Sequence, residues 1–498
     1  MGMCLGREKP QLTEEQIKAL EKTDKPTDER KQVIDKMTYE LGDAVTPAAI
    51  LAFMKQYDML VSGETGMIPE ALITPATGLK RIGDLPAPNP ATVGALIEKT
   101  AILKLNGGLG TGMGLDKAKS LLEVRDGKNF LDFTADQIVY QRSQYKTDKL
   151  GFVLMNSFST EDDTKAALAK YPELGEWDGM NMLQNKVPKI LEDGFAPASY
   201  PPNPKDEWCP PGHGDLYAAL IGSGKLDSLI AQGKEYVFVS NSDNLGAALD
   251  LKLLQYFASE DAGFMMEVCK REPADDKGGH LAKKGQGLIL RELAQCPDAD
   301  AKSFQDIRRH QFFNTNNLWF KLSDIKKVMD SSGGVMDLPM IRNSKTVDPK
   351  DDSTAKVYQL ETAMGAAIAN FGARSRAVVV DRDRFAPVKK CSDLLNLRSD
   401  VYEVTADNRF QLIKERRGVP PTVNLGDTYK KIGQFDQLTK EGVPSMKDCK
   451  SLTFLPKKTK KIITLEKGVV FKGDVTVEVT DGGPATLKAA VYTGKVVL

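Results

Sequence analysis

The chain has 498 residues, which is too long for one ordinary hydrophobic core, so two or three domains are expected. Basic and acidic side chains balance at 68 each, so no overall field attracts nucleic acid or an anionic membrane surface. Any phosphate-bearing ligand must therefore be held by local chemistry, and neither nucleic acid nor a membrane is an expected partner.

The cysteines show no C-x-x-C spacing and no pattern of a disulfide framework or zinc site; they stand at positions 4, 209, 269, 296, 391 and 449. We expect them to be reduced thiols of a cytoplasmic protein. No segment approaches the roughly 18 to 20 apolar residues of a membrane span. Gly2 and Cys4 would suit lipidation, but Gly6 stands where that motif needs Ser or Thr, which disfavours an anchor.

Residues 1–95 are predicted to form an N-terminal helical region. Thr13 and Gln16 can form a capping box, and Thr46 before Pro47 is typical of a helix start. The helix that follows is predicted to bury one apolar stripe, made by Ile50, Phe53, Met54 and Tyr57.

From residue 96 to about 415, short apolar strands alternate with helical stretches: "TAILKLN", "LGFVLMNS", "YVFVSNSD", "FMMEVC" and "RAVVVD". This alternation indicates a mixed, largely parallel sheet covered by helices, with ligands bound beyond the carboxyl ends of the strands. The sequence pattern differs in residues 416–498, where Val475, Val477 and Val479 alternate with polar residues. We predict a small C-terminal β-rich or β-helix-like module there.

A glycine-rich loop, "LKLNGGLGTGMGLDKAKS" (103–120), follows the first of these strands. Glycines after a strand let backbone amides approach an anionic ligand closely. The P-loop motif fails because Ala118 precedes Lys119, and the dinucleotide motif fails because its third glycine falls on Met113. Taken by itself, such a cluster is often only a tight turn.

The loop resembles the signature of the eukaryotic UTP:glucose-1-phosphate uridylyltransferases, the UDP-glucose pyrophosphorylases. The resemblance spans about residues 60 to 430 in the family's order. It continues through "MNSFST" (155–160), "QNKVPKI" (184–190), "PPGHGDLY" (210–217), "VSNSDNLG" (239–246), "KGGHLA" (277–282), "RELAQCP" (291–297), "FFNTNNLW" (312–319), "IRNSKT" (341–346), "YQLETAMGAAI" (358–368) and "RFAPVKKCSDLL" (384–395).

The resemblance implies an α/β fold with a Rossmann-like, GT-A-like nucleotidyltransferase core of mixed sheet. It also implies the reversible reaction of UTP with glucose 1-phosphate to UDP-glucose and pyrophosphate, by in-line attack of the sugar phosphate on the α-phosphate. The nucleophile is already anionic, so the enzyme must mainly align two polyanions and neutralise charge. Mg²⁺ is the expected cofactor, and self-association through the C-terminal module is a further expectation.

By the same resemblance, Lys119 and Lys389 are the catalytic lysines. Lys117 is expected to be surface charge, and only the alignment with Phe385–Pro387 favours Lys389 over its neighbour Lys390. Asp243 is the expected magnesium ligand, although Asn-Ser-Asp-Asn after a strand also suits an ordinary turn.

The substrate contacts are likewise carried over from the family. The uracil base is expected at Leu105, Asn106, Gly107, Gly108, Gln184 and Gly212, and the phosphates at Gly110 and Thr111. The sugar and its phosphate are expected at His213, Asn241, Gly279, Glu292, Asn314 and Asn316. His310 is expected to be structural.

Three other functions remain open at this stage. One is a UDP-sugar pyrophosphorylase of broad sugar range. Another is a UDP-N-acetylhexosamine pyrophosphorylase, which typically carries Gly-x-Gly-Thr-Arg where this chain has Thr111-Gly112. The third is a catalytically silent sugar-nucleotide sensor, which the presence of Lys119 and Asp243 disfavours.

Overall fold

A computed structural model of the chain describes Leu20 and residues 27–40, 45–456, 461–482 and 485–498. The capping box predicted at Thr13 and the lipidation signals at Gly2 and Cys4 lie outside these residues. The chain divides into two compact units. Unit 1 comprises residues 1–101, 182–238 and 252–379, and unit 2 comprises residues 102–181, 239–251 and 380–498. The domain boundaries predicted near residues 95 and 415 remain predictions.

The helices of unit 1 confirm the predicted helical character of the N-terminal region. Thr46 caps the helix Pro47–Val61, with its side-chain oxygen accepting the backbone N–H of Ala49, and the predicted apolar stripe is buried. The helices of unit 1 in the described ranges are Asp28–Asp35, Pro47–Val61, Val93–Glu98, Leu216–Gly222, Lys225–Ala231, Leu251–Ser259, Ala301–Gln305 and Leu322–Ser331. The first residue of Leu251–Ser259 is assigned to unit 2.

Unit 1 contains part of a mixed sheet, in which Lys80–Arg81, Ser375–Val379, Phe264–Lys270 and Phe312–Lys321 lie side by side in that order. The first three run parallel and the fourth is antiparallel to its neighbour. A hairpin of His280–Lys284 and Gly287–Arg291 joins this sheet through His280 and Phe313, and Thr74–Pro75 pairs with the hairpin. Smaller sheets pair Val187–Pro188 with Trp208–Cys209, and Lys356–Glu361 with Ile190–Leu191 and Ile341–Thr346.

The apolar strand pattern predicted from the sequence is confirmed. Strands Thr100–Asn106, Asn181–Leu183 and Tyr236–Asn241 contribute residues to both units. Unit 2 adds the strand Gly151–Asn156 and two hairpins, of Glu123–Arg125 with Lys128–Asn129 and of Tyr402–Val404 with Phe410–Leu412. Its described residues also form the helices Phe130–Gln144, Glu161–Leu168, Trp177–Met180, Cys391–Arg398 and Ile432–Leu438.

The C-terminal part of unit 2 is built from parallel strands, as a β-helix requires. Thr422–Asn424, Cys449–Pro456, Val470–Val479 and Val491–Val497 pair in parallel in that order, and Thr464–Leu465 pairs with Thr486–Leu487. Val475, Val477 and Val479 are buried as predicted, and Glu478 between the last two is buried as well. The rings of Phe133 and Phe410 pack edge to face in the core of the same unit, with their centroids 4.8 Å apart.

None of the helices in the described ranges has the length and apolar character needed to cross a membrane. The cysteines in those ranges are buried and form no disulfide there.

Candidate active site

The glycine-rich loop of unit 2 is held at its base by backbone hydrogen bonds. The Lys119 N–H donates to the Gly108 carbonyl at 3.0 Å, and Leu109 and Ala118 form an antiparallel bridge. A Cβ atom at Gly110 would lie 2.3 Å from Leu115, whereas one at Gly108 or Gly112 would meet nothing within 4 Å. Gly110 is therefore required by packing, and Gly108 and Gly112 leave open space where a ligand can approach the backbone.

The strand end that precedes this loop is tied to its neighbours. The Asn106 side chain donates to Asn156 at 2.7 Å and to Thr164 at 2.9 Å, and it is buried. The Leu105 carbonyl accepts the Ser242 N–H at 3.0 Å. The Asn106 amide thus serves the fold, so a contact of this residue with a nucleotide base must use its backbone.

Lys119 and Asp243, which are 124 positions apart in the sequence, form an ion pair of 2.5 Å between Nζ and Oδ2. Their side chains are 19% and 17% exposed, so the pair is largely shielded but still reachable from solvent. Lys117 on the same loop is exposed, which agrees with the surface position predicted for it. The structure therefore places one of the two predicted catalytic lysines in direct contact with the predicted magnesium ligand.

The second carboxylate oxygen of Asp243 is a candidate metal ligand. Oδ1 is buried and has no hydrogen-bond partner among the described residues. Within those residues no three His, Cys, Asp or Glu side chains cluster to form a complete metal site. A single carboxylate fits Mg²⁺, because this ion retains several waters and is commonly held by one or two carboxylates together with phosphate oxygens of the substrate.

Lys389 lies on a segment whose backbone is fixed by Asp393. The Lys389 and Lys390 N–H groups both donate to Asp393 Oδ2 at 2.8 Å. Burial raises the pKa of the Asp393 carboxyl, and these N–H groups and the nearby Lys119 charge oppose the shift. A cavity of about 430 Å³ is lined by Gly112, both lysines and residues from Asn424 to Lys430. The glycine loop and the Lys389 segment therefore face one open space.

In unit 1, Gln184 and Gly212 lie in contact, as the predicted base site requires. Gln184 Nε2 donates to the Gly212 carbonyl at 3.2 Å. Gly212 has a φ of +79°, and a Cβ atom there would lie 2.6 Å from the Thr362 carbonyl oxygen. Only glycine fits this position, because both the backbone conformation and the approach of Thr362 exclude a side chain.

His213 is held as a neutral imidazole with a known tautomer. Its Nδ1 accepts the Met364 N–H at 3.0 Å, so Nδ1 carries no proton and Nε2 carries the single N–H donor. Burial lowers the pKa of His213 to about 4. The imidazole can therefore donate a hydrogen bond to an oxygen of a substrate without changing its charge at neutral pH.

The predicted sugar residues of unit 1 form a second cluster. The Asn314 N–H donates to the Gly279 carbonyl at 3.0 Å, and Asn314 Nδ2 donates to Asn316 Oδ1 at 2.9 Å. Asn316 adopts a left-handed conformation with a φ of +58°. A Cβ atom at Gly279 would lie 2.3 Å from Glu292 Oε2, so the carboxylate rests against the glycine backbone. Polar side chains that converge in this way suit a polyhydroxyl ligand.

The other two histidines are packed against each other in unit 1. The rings of His280 and His310 stack at 3.9 Å, and His310 Nε2 lies 3.0 Å from the Glu70 carboxylate. Burial lowers the pKa of both rings. These contacts support the structural role predicted for His310.

The structure thus divides the predicted residues between the two units. Unit 2 holds the loop residues 105–111 together with Lys119, Asn241, Asp243 and Lys389, and unit 1 holds Gln184, Gly212, His213, Gly279, Glu292, Asn314 and Asn316. Asn241, predicted for the sugar, stands two positions before Asp243, and its role remains a prediction.

Thr362 and Met364 were not among the predicted site residues. Both act through their backbones, which set the shape of the Gly212 turn and the tautomer of His213. The quoted motif "YQLETAMGAAI" contains them, but backbone contacts leave no side-chain signature in a sequence.

The titration of His213 predicts a pH dependence of stability. The folded-state pKa of about 4 lies below the ordinary 6.5, so the unfolded chain takes up the proton first as the pH falls. The free energy of unfolding should therefore decrease from pH 6.5 to 4 and be level above 6.5 as far as this group is concerned. The full shift would account for at most about 3 kcal/mol.

His213→Gln keeps an acceptor for the Met364 N–H and removes the titrating group. Denaturant unfolding at pH 7.5 and 4.5 should therefore show a smaller decrease in the free energy of unfolding for the variant than for the wild type. His280 and His310 titrate with the same sign in both proteins and cancel in the comparison. An equal loss in the two proteins would contradict the assignment.

Comparison with known proteins extends these observations. A profile of the family described as UTP--glucose-1-phosphate uridylyltransferase matches residues 52–460. The uridylyltransferase of Solanum tuberosum is 42% identical over 79% of this chain and 80% of its own length. The enzyme of Saccharomyces cerevisiae is 40% identical over 78% of this chain and 75% of its own length.

A solved structure gives the same result for the fold. A UDP-glucose pyrophosphorylase mutant from Leishmania major, crystallised in complex with UDP-glucose, superposes with a TM-score of 0.85 at 46% identity. The match covers 94% of this chain and 99% of that one. With most of its length matched by the profile, the relatives and the solved structure, the chain belongs to the UTP--glucose-1-phosphate uridylyltransferase family.

Proposed function

We propose that the residues described above carry out the family's reaction in this chain, with Lys119 and Lys389 as its catalytic lysines. The chain is a uridylyltransferase that forms UDP-glucose and pyrophosphate from UTP and glucose 1-phosphate. The ion pair between Lys119 and Asp243, beside the open glycine backbone, is the observation that carries the assignment. It joins a cation suited to phosphate with a carboxylate suited to a metal ion.

The chemical step needs charge stabilisation rather than an activated protein nucleophile. An oxygen of the sugar phosphate attacks the α-phosphorus of UTP, the bond to the bridging α–β oxygen breaks, and pyrophosphate leaves with that oxygen. Lys119 and Lys389 stabilise the negative charge that shifts during this exchange. The backbone of Gly110 and Thr111 contacts the phosphates, and the open face at Gly112 adjoins them.

Within unit 1, base recognition is assigned to Gln184 and Gly212, and sugar recognition to the polar cluster described above. Within unit 2, the backbone at Leu105–Gly108 is assigned a contact with the base. The Gln184 amide can both donate and accept, which matches the imide edge of uracil, and Gly212 permits a close backbone approach. Asn314, Asn316 and Glu292 bind sugar hydroxyls, and the Nε2–H of His213 donates to the sugar phosphate. Such paired polar contacts discriminate between epimers, because a mismatched hydroxyl leaves a buried group unsatisfied.

Asp243 would hold Mg²⁺ through its buried, unpartnered Oδ1. When bound, the ion supplies additional positive charge that favours the departure of pyrophosphate. The pairing with Lys119 keeps the Asp243 carboxylate compensated and in place before the substrates arrive.

Lys119→Ala should lower kcat by about 100- to 1000-fold, as the loss of one group aimed at developing charge typically does. UTP affinity should fall much less, because the base contacts remain. Steady-state kinetics and calorimetric titration with UTP measure the two effects. Lys117→Ala, which removes an exposed lysine from the same loop, is the matched control and should stay within about twofold of wild type. A Lys119→Ala enzyme with near-normal kcat would refute the role.

Asp243→Asn should weaken divalent-metal binding in the presence of UTP by at least about tenfold, because a neutral amide oxygen is a poorer ligand than a carboxylate. Electron paramagnetic resonance with Mn²⁺ as a probe reports this binding without relying on turnover. Asp116→Asn, which alters an exposed carboxylate of the same loop, should change nothing. Equal Mn²⁺ affinity in both variants would exclude Asp243 as a ligand.

The chain is further proposed to be cytoplasmic and to self-associate through its C-terminal strands. Buried cysteines without a disulfide support the cytoplasmic location, which cell fractionation tests.

The last strand of the C-terminal sheet within the described residues supports the self-association. This strand is Val491–Val497, in which Val491 and Val497 are 64% and 60% exposed. Sheet edges with exposed apolar residues favour pairing between chains. Light scattering should detect an oligomer of the wild type and a smaller mass for the double variant Val491→Lys/Val497→Lys.

A further inference from the structure

Asp215, in the short helical turn His213–Asp215, has a role that the reaction does not assign to it. The residue is only 6% exposed, and its carboxylate faces Asn185 of unit 1. The Asn185 backbone N–H donates to Oδ2 at 2.7 Å. Asn185 Nδ2 lies 3.0 Å from Oδ1 and 3.1 Å from Oδ2. One buried carboxylate thus receives the backbone and the side-chain donor of a single residue.

This arrangement is costly as a means of stabilising the fold. Burial raises the pKa of Asp215 to about 6, while the two groups of Asn185 oppose the shift. A charged carboxylate that is shifted in this direction lowers the free energy of unfolding at neutral pH. A pair of apolar side chains would fill the same space without that cost.

Asp215 and Asn185 adjoin the residues of the predicted base site. Asn185 is adjacent in sequence to Gln184, whose amide donates to the Gly212 carbonyl at 3.2 Å. The Gly212 turn is fixed independently, because Thr362 donates to Pro211 at 3.0 Å and accepts from Gly214 at 2.8 Å. Asp215 therefore ties the segment that carries Gln184 to a turn that Thr362 already holds in place.

We propose that Asp215 is a positioning residue for base recognition: through Asn185 it holds Gln184 against the Gly212 turn and so sets the affinity for the uracil of UTP. Asp215 does not touch the substrate in this role. The inference rests on the proposed function, since it concerns the base site of that reaction. A change confined to base binding raises KM for UTP and leaves the chemical step largely intact.

The test uses a pair of substitutions in the full-length enzyme. Asp215→Asn replaces the charged acceptor of both Asn185 donors with a neutral amide, which weakens the two hydrogen bonds. Adding Asn185→Asp reverses the polarity: the new amide at 215 donates to the new carboxylate at 185, while its oxygen still accepts the backbone N–H. The matched control is Asp324→Asn, which alters another buried carboxylate of unit 1, paired with Arg374.

For Asp215→Asn we expect the Kd and KM for UTP to rise about tenfold, with kcat and KM for glucose 1-phosphate within about twofold of wild type. The exchanged pair should recover UTP affinity to within about threefold, and Asp324→Asn should leave it unchanged. Calorimetric titration with UTP and steady-state kinetics provide these values, and thermal unfolding verifies that each variant is folded.

Three outcomes would overturn the inference: unchanged UTP affinity in folded Asp215→Asn, no recovery in the exchanged pair, or a parallel change of kcat and both KM values. If Asp215→Asn alone does not fold, a folded exchanged pair with wild-type UTP affinity supports the inference. If neither folds, the pair is structural and the inference is overturned. Absence of UDP-glucose formation by the wild type would instead reject the proposed function, while UTP titration would still report on Asp215.

Discussion

An ion pair between Lys119 and Asp243 brings the glycine-rich loop to the end of the strand Tyr236–Asn241. Neither charge is fully solvated, so each is compensated by the other. The exposed Lys117, two positions earlier, has no such constraint. The pairing therefore distinguishes Lys119 from Lys117, and the chemistry proposed for unit 2 is organised around it.

Three buried or half-buried aspartates differ in whether a carboxylate oxygen lacks a hydrogen-bond partner, and this difference separates a proposed metal ligand from positioning residues. Asp215 has both oxygens engaged by Asn185, and Asp393 uses Oδ2 to hold the backbone of Lys389 and Lys390. Asp243 alone among the three has a buried oxygen without a partner in the described residues. Buried polar atoms are normally satisfied, so the unpartnered oxygen supports the proposal that Asp243 holds Mg²⁺. Carboxylates that hold neighbouring donor groups in place, as those of Asp215 and Asp393 do, are better suited to positioning.

Unit 1 relies on backbone geometry where unit 2 relies on charge. The turn at Gly212 needs a positive φ and leaves no space for a Cβ atom against Thr362. The Met364 N–H keeps His213 neutral with its donor on Nε2. Both devices present fixed hydrogen-bonding groups without adding charge. This suits the contacts proposed for unit 1, to a neutral base and to the sugar and its phosphate, because they need fixed hydrogen-bonding groups and any further buried charge would cost desolvation energy.

Local patterns in the sequence were sufficient for the strand Thr100–Asn106, the N-cap at Thr46 and the burial of the valines from Val475 to Val479, because period, capping and turn chemistry are encoded by neighbouring residues. The motifs also identified the candidate residues and the family. Only the tertiary structure decided that Lys119 pairs with Asp243, that Asn106 uses its amide for the fold, and that Asp215 receives Asn185. Such contacts join residues that are distant in the chain or that act through backbone atoms common to every amino acid, so no local pattern specifies them.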